Sequence, residues 1–293
     1  MIANPCRIAP RWQALAAFVL LVGLPLNAQD RLPPNAAGVT MGHLHFYVKD
    51  VAANARFWAS LGGVVSGGTD SRTVRVGGAS IELSEGMPTG TSDGAVVNHV
   101  AFRVPSLAAL EAAGLTLAHA GPGLPGIATV MTPEGERIEL FDNSATNTWF
   151  RRDGDDSSDA AAQRGVRPAT APITLHHIHL LLPDEAAIAA AKTWYTTTFG
   201  GTPGLRWHYH AVDLPGLNVN FGVATKPLRP TKGRMLDHIG FEVKNLAAFC
   251  KRLESTGVVF DRAYKTMADG VGQAALTDPW GTSIELTEGV ANR

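Results

Sequence analysis

Cysteine is nearly absent from this 293-residue chain, which contains only Cys6 and Cys250. Cys6 lies in an N-terminal segment with the features of a removable secretory signal: two arginines, then the apolar run ALAAFVLLVGLPL, then Ala28 as a suitable last residue before cleavage. The mature chain would keep one thiol, which excludes an internal disulfide and a metal site built from several thiolates. We therefore predict a signal peptide over residues 1–28 and an exported protein, periplasmic or extracellular.

The chain also lacks an excess of either charge and a second long hydrophobic run. Its formal net charge is −1, and no basic segment is interleaved with aromatic residues, so nucleic acid is not an expected partner. No apolar segment after the signal is long enough to cross a bilayer, which predicts no stable membrane span in the mature protein. The length suits two ordinary domains, and the hydrophobic share of 45% is that of a globular protein.

A strand that carries histidine recurs four times. The four strands begin HLHFYVKD, HVAFRVPS, HIHLLLPD and HIGFEVKN, at His43, His99, His177 and His238. Seven residues after each histidine comes a good helix N-cap residue, and a helical pattern that closes on glycine follows it. These four residues are Asp50, Ser106, Asp184 and Asn245. The constant spacing predicts that the histidine has the same structural position in every repeat.

Each repeat also ends in a similar strand. The four strands read SIELSEG, RIELFDN, NVNFGVA and SIELTEG, around Glu82, Glu139, Asn220 and Glu285. These residues follow the histidine of their own repeat by 39, 40, 43 and 47 positions. Three repeats therefore pair a histidine with a carboxylate, and the third has an amide in its place.

The repeats predict four βαβββ modules in two domains. Turns of the type Pro-x-Gly before the second and fourth closing strands favour antiparallel hairpins there. A polar segment rich in Ala, Asp, Arg and Pro separates the two halves and has the composition of a linker. The predicted boundaries are domain 1 at 39–143 (modules 39–90 and 95–143), the linker at 144–172, and domain 2 at 173–290 (modules 173–225 and 234–290).

A βαβββ module with histidine on its first strand and glutamate on its last resembles the vicinal oxygen chelate superfamily. This superfamily includes glyoxalases, extradiol dioxygenases, fosfomycin-resistance enzymes and bleomycin-binding proteins. The resemblance runs from about Val39 to Val290 and implies an α+β fold, in which the modules form two half-open mixed β-barrels with the helices outside. It also implies a divalent metal ion, and imidazole and carboxylate ligands suit Fe, Mn, Ni, Co or Zn.

The resemblance implies one set of metal ligands in each domain. In domain 1 the set is His43, Glu82, His99 and Glu139, and in domain 2 it is His177, His238 and Glu285 with Asn220 in the fourth place. Four protein ligands fit Lewis-acid isomerisation, in which a glutamate such as Glu139 or Glu285 leaves the metal to act as the catalytic base. Two histidines and one carboxylate instead leave open positions for a chelating substrate or O₂.

Further side chains are candidates for contact with a substrate. His179 shares a strand face with His177, and His45 has the same position in module 1. Each is expected to orient a ligand, bind substrate or transfer a proton. Equally, each could be a hydrogen-bonded residue that lines the cavity. Asn220 is assigned to substrate binding. Trp207 and Tyr209 alternate along a strand, so they form aromatic cavity walls or pack against the helices. His176 is predicted to face the helix layer.

Three classes of function follow from these patterns. The first is a metal-dependent enzyme for a small substrate that chelates through adjacent oxygens, either a dioxygenase-like oxidoreductase or a glyoxalase-like lyase or isomerase. The second is a non-catalytic protein that binds or sequesters a small molecule, and the third is a structural role. Retention of seven of the eight ligand positions favours the enzyme, and export disfavours dependence on glutathione.

A homodimer is also expected, because family members often pair modules between chains.

Overall fold

The computed structural model describes residues 31–145, 149–155 and 171–290. The predicted signal peptide, residues 1–28, lies outside them, so cleavage and export stay predictions. Among the helices of the described ranges, none combines the length and the apolar character that a membrane span requires.

Four βαβββ modules make up the described structure, as predicted. Module 1 contains β1 Val39–Val48, α1 Val51–Ser60, β2 Val64–Gly67, β3 Ser71–Val76 and β4 Ala79–Glu85. Module 2 contains β5 Val97–Arg103, α2 Leu107–Ala112, β6 Ala118–His119, β7 Ile127–Met131 and β8 Arg137–Phe141, and is followed by the short strand β9 Phe150–Arg152. Module 3 contains β10 Thr174–Leu182, α3 Glu185–Phe199, β11 Thr202–Arg206, β12 Tyr209–Leu214 and β13 Leu217–Val223. Module 4 contains β14 Leu236–Val243, α4 Leu246–Ser255, β15 Phe260–Thr266, β16 Gly272–Thr277 and β17 Ser283–Glu288.

The predicted N-cap residues begin the four helices by two different means. The side chains of Asp50, Ser106 and Asp184 each accept a hydrogen bond from the backbone N–H three residues later. Asn245 has a left-handed backbone conformation, φ 58°, and its side chain makes no capping bond within the described structure. The carboxylate of Glu288 replaces it, accepting from the backbone N–H groups of Asn245 and Leu246 at 2.7 and 3.1 Å. A carboxylate at a helix N-terminus is favourable because the first N–H groups have no partner within the helix.

The modules combine into two mixed sheets, but not in the predicted pairs. The eight-stranded sheet has the order β15-β16-β17-β14-β1-β4-β3-β2 and joins modules 1 and 4. The nine-stranded sheet has the order β6-β7-β8-β5-β10-β13-β12-β11-β9 and joins modules 2 and 3. Pairing of module 1 with module 2 and of module 3 with module 4 was therefore a wrong prediction. All four modules have the same strand pattern, so the pattern does not determine which two share a sheet.

Antiparallel pairing of the first strands joins the modules within each sheet. Strand β1 pairs with β14 and places His45 opposite His238, whereas β5 pairs with β10 and places His99 opposite His179. Within each module the first and last strands are parallel neighbours, as β1 and β4 are. The ligand residues of two modules therefore meet in the middle of each sheet.

One hydrophobic core connects the two sheets. Trp58 on α1 of module 1 packs against Phe102 on β5 of module 2, with ring centroids 5.2 Å apart. Phe199 on α3 of module 3 packs against Phe241 on β14 of module 4 at 4.8 Å. Modules 1 and 2, like modules 3 and 4, thus meet through their helices and core side chains, whereas the pairs 1 with 4 and 2 with 3 share hydrogen-bonded strands.

The predicted linker also contains a strand. Residues 150–152 form β9, which pairs with β11 at the edge of the nine-stranded sheet. An edge strand needs only one partner, so three residues suffice, and the polar composition of the surrounding segment concealed it. The linker residues 146–148 and 156–170 lie outside the described ranges.

Separate expression of residues 31–145 and 171–290 tests the interleaved arrangement. Each half would contain two complete modules, but its first strands would lack the partners that the other half supplies, which exposes unpaired backbone groups. We expect neither half to be a stable monomer, and co-expression to give a 1:1 complex by size exclusion with light scattering. Two monomeric halves that each unfold cooperatively in urea would contradict the sheet order.

Candidate metal centre

Beta-bulges position the first histidine of modules 1 and 3. The register of β1 against β14 shifts between Met41 and His43, and that of β10 against β5 shifts between Leu175 and His177. The extra residue is Gly42 in the first bulge and His176 in the second. A bulge disrupts the alternation of faces, and Leu175, two residues before His177, joins the hydrophobic core.

His176 does not face a helix, contrary to the prediction. Its ring lies 5.0 Å from that of Phe141, and its Nδ1 is 2.9 Å from Nδ1 of His177. It therefore contacts the second ring nitrogen of the neighbouring histidine.

Three side chains of the eight-stranded sheet converge and are named the first cluster: His43 on β1, His238 on β14 and Glu285 on β17. The Nε2 atoms of His43 and His238 lie 3.3 Å apart. Oε2 of Glu285 lies 3.4 Å from the former and 3.8 Å from the latter. Two imidazoles and a carboxylate at these separations could act as ligands of a single ion, and they suit Fe(II), Mn(II), Co(II), Ni(II) or Zn(II).

Outer contacts fix the orientation of the first cluster. Nδ1 of His238 lies 2.6 Å from Oδ2 of Asp237, whose other oxygen accepts from the backbone N–H of Gly233. A carboxylate on Nδ1 holds the proton there and leaves the Nε2 lone pair for a metal ion. Arg262 donates to Oε1 of Glu285, which leaves Oε2 directed at the histidines. The donor set and these outer contacts fit a metal site.

The environment also keeps Glu285 ionised. Burial opposes ionisation, but the hydrogen bond and charge of His43, the nearby His238 and the hydrogen bond of Arg262 outweigh it, so the pKa of Glu285 is lowered to about 2. The carboxylate is therefore available as a ligand at any pH at which the imidazoles are neutral.

Glu82 and His45 lie beside the first cluster. Glu82 is opposite His45 in the parallel pair β1–β4, and its carboxylate accepts hydrogen bonds from Thr73 and Ser80 at 2.6 and 2.8 Å. The His45 ring stacks on that of His238, with centroids 4.6 Å apart and an interplanar angle of 13°. Burial, followed by the neighbouring His238 and His43, lowers the pKa of His45 to about 4. Both residues are near the three convergent ligands without belonging to them.

A glycine makes room for the first of these ligands. Gly240 is opposite His43 in the β1–β14 pair, and a Cβ atom on Gly240 would overlap the imidazole ring. In the other sheet Ala101 is the residue opposite His177. The approach of backbone to ring is therefore closer in the first cluster.

The nine-stranded sheet contains the second cluster: His99 on β5, His177 and His179 on β10, and Glu139 on β8. Oε2 of Glu139 lies 3.3 Å from Nε2 of His99 and 3.4 Å from Nε2 of His177. The three histidines offer ring nitrogens within 4.8 Å of one another. In its residue types, this cluster too resembles a metal site.

In the second cluster, arginine side chains contact the histidines themselves. Nη2 of the buried Arg206 lies 3.5 Å from Nε2 of His177, and its Nε donates to Oδ1 of Asn220 at 3.2 Å. Nη2 of Arg137 lies 3.1 Å from Nδ1 of His99. Burial lowers the pKa of Arg206 to about 10 against the opposing effect of Glu139, so the guanidinium is charged at neutral pH. Burial, followed by the charge of Arg206, keeps the pKa of His177 well below its usual value.

The two aromatic residues predicted to form cavity walls lie in different elements, Tyr209 on a strand and Trp207 in a turn. Tyr209 begins β12 and contacts His179 edge-on, with ring centroids 4.6 Å apart. Trp207 is not on a strand: it is one of two residues in the turn between β11 and β12 and has φ 53°. Tyr209 therefore belongs to the surroundings of the second cluster, and Trp207 lies at the end of the hairpin.

Predicted metal ligands do converge, but the ligands that lie together come from different modules than predicted. His43 lies with His238 and Glu285, and His99 and Glu139 lie with His177, because the modules pair as 1 with 4 and 2 with 3. Asn220 lies opposite His179 and is the partner of Arg206.

The sequence analysis missed four residues that shape the clusters, namely Asp237, Arg262, Arg206 and Gly240. One signal was available, since the residue directly before the histidine contacts its Nδ1 in three modules. That residue is Asn98 at 2.9 Å, His176 at 2.9 Å and Asp237 at 2.6 Å. The two arginines reach their clusters from other strands, so no local pattern could have indicated them.

The comparisons with known proteins agree with this architecture. A sequence model of the Glyoxalase/Bleomycin resistance protein/Dioxygenase superfamily matches residues 174–286. The match runs from β10 of module 3 to β17 of module 4. No match was found among curated proteins.

Solved structures extend the likeness to the whole fold. Glyoxalase I from Zea mays is 15% identical over 87% of this chain and 94% of its own, with a TM-score of 0.60. A putative dioxygenase from Bacillus subtilis subsp. subtilis str. 168 is 14% identical over 86% of each chain, with a TM-score of 0.56. At these identities the likeness concerns the fold alone.

Gly240→Ala tests the geometry of the first cluster. The added methyl group would displace the His43 ring from His238 and Glu285, so we expect the affinity for Co(II), measured by calorimetric titration, to fall at least about tenfold. Gly68→Ala is the matched control, because a Cβ there meets no atom within 4 Å. Unchanged affinity in a folded Gly240→Ala protein would show that His43 is not a ligand.

Proposed function

We propose that this protein is a metal-dependent enzyme that acts on a small substrate through two adjacent oxygen atoms, and that the first cluster is its catalytic centre. The observation that carries the proposal is the convergence of His43 Nε2, His238 Nε2 and Glu285 Oε2 with Asp237 behind His238. Export and assembly into a homodimer are further proposals; the first rests on the N-terminal signal pattern and the second on the family resemblance.

In this proposal the three ligands hold a divalent ion. When bound, such an ion supplies Lewis acidity and open coordination positions that two neighbouring oxygens of a substrate can fill. Asp237 keeps the proton of His238 on Nδ1, and Arg262 restrains the glutamate so that one oxygen faces the ion. These contacts orient the ligands before the ion binds.

In this proposal His45 transfers protons at the first cluster. Nε2 of His45 lies 3.0 Å from the hydroxyl of Ser84, and its buried Nδ1 has no hydrogen-bond partner among the described residues. Because the ring stacks directly on His238, its free nitrogen lies near any substrate bound at the cluster. We assign His45 as the group that accepts a proton from the substrate.

The number of ligands favours an oxidoreductase of the dioxygenase type. Two histidines and one carboxylate leave room for a bidentate substrate and O₂ at the same ion, which is typical of non-haem iron oxygenases.

Glu82 supports a second candidate, a lyase or isomerase. Its carboxylate lies on the same side of the sheet, where it could serve as a base or a fourth ligand.

Metal stoichiometry in matched variants tests the location of the centre. We expect about one Fe, Mn, Co, Ni or Zn ion per wild-type chain by elemental analysis after reconstitution, and its loss in His238→Ala and Glu285→Gln. His99→Ala is the matched control, because His99 has in the second cluster the position that His238 has in the first, and it should keep the ion. No ion in the folded wild-type protein would remove the enzyme proposal and leave a binding protein.

The reaction class is tested by following oxygen. We expect the Fe(II)-loaded protein to consume O₂ in the presence of vicinal diols of aromatic rings, and Glu285→Gln to lose this activity by a factor of at least about 100. Anaerobic conversion of α-hydroxy carbonyl compounds, lost in Glu82→Gln and independent of O₂, would instead establish the lyase or isomerase. The oxygen electrode and product analysis by mass spectrometry distinguish the two.

A further inference from the structure

The two clusters have similar ligands but opposite surrounding charge. Among the residues that the structure describes, the first cluster is surrounded by the carboxylates of Glu285, Asp237 and Glu82 and the guanidinium of Arg262. The second is surrounded by the carboxylate of Glu139 and the guanidinium groups of Arg206 and Arg137. A dication is therefore attracted to the first position and opposed at the second.

Arg206 makes contacts at the second cluster that a cation would make. Its Nη2 is directed at Nε2 of His177, the nitrogen that would ligate a metal. The nearby Glu139 carboxylate compensates its charge and favours the charged form of the guanidinium. A histidine lone pair that accepts from a guanidinium is not available to an ion at the same time.

The fourth position of the second cluster is adapted to this arginine. Module 3 has Asn220 where the other modules have glutamate, and Oδ1 of Asn220 accepts the Nε proton of Arg206. Both side chains are buried, Asn220 at 0% and Arg206 at 4% exposure. An amide accepts this hydrogen bond without adding a second negative charge beside that of Glu139.

We propose that the guanidinium of Arg206 takes the place of the metal ion in the second cluster, so that this cluster is closed to metal. The inference goes beyond the proposed function, since it concerns the other sheet and holds whether or not the first cluster is catalytic. The proposal explains why histidine and glutamate are retained there: they surround a buried internal cation.

The experiment removes the internal cation in a protein whose first cluster is disabled. In the full-length His238→Ala background, Arg206→Met deletes the charge while keeping the aliphatic stem, and Arg206→Lys keeps the charge. We expect Co(II) affinity to rise at least tenfold with Arg206→Met and to be unchanged with Arg206→Lys. Arg206→Met combined with Asn220→Asp, which adds a carboxylate, should bind more tightly still and show the absorption of histidine-ligated Co(II). Circular dichroism checks that each variant is folded.

The outcomes separate this inference from the proposed function. A wild-type chain that binds two ions, the second lost in His177→Ala, would overturn it. A folded Arg206→Met protein with no gain in affinity, alone and with Asn220→Asp, would also overturn it. If Arg206→Met does not fold, Arg206→Gln replaces it, because glutamine is uncharged and retains hydrogen-bonding groups. A wild-type chain that binds no ion would refute the catalytic centre but would leave the Arg206 comparison intact.

Discussion

The antiparallel contact between the first strands of two modules is the interaction on which both clusters depend. In one sheet it joins β1 to β14, and in the other it joins β5 to β10. Backbone hydrogen bonds fix the register, and bulges at Gly42 and His176 set the direction in which the following histidines point. Each closing strand lies parallel to the first strand of its module and brings a carboxylate or an amide to the same place. The clusters are therefore a property of strand register, since loops supply none of their ligands.

Much of this architecture could be predicted from the sequence because it repeats. The constant distance from His43 or His177 to its N-cap residue predicted the modules, and the recurring closing strands predicted a carboxylate or an amide at the end of each one. The choice of partner module could not be predicted. All four modules have the same strand pattern, and side-chain contacts across the core, such as that of Trp58 with Phe102, have no periodic signature. Similarly, alternation predicted the common face of His177 and His179 but not the bulge at His176, because a bulge is a local exception to that rule.

The two clusters show how similar ligand sets acquire different properties from their surroundings. His238 and His99 are equivalent in the repeat, yet the Nδ1 of the first contacts the carboxylate of Asp237 and that of the second contacts the amide of Asn98. A carboxylate on Nδ1 orients the histidine and adds a negative charge that favours a cation at the cluster. The amide adds no charge, and Arg137 beside it adds a positive one. Metal ligands identified by residue type alone therefore overestimate the number of sites.

The interleaved order of the sheets has a consequence for synthesis. His43 and His238 are separated by 195 positions along the chain, so the strand that bears the first must wait for the second to leave the ribosome. At roughly 5–20 residues per second this delay is on the order of 10–40 seconds. During that interval β1 has its parallel neighbour but no antiparallel one, and a long-range pairing of this kind forms slowly. Metal incorporation would then be among the last events in the maturation of this protein, after the final module has folded onto the first.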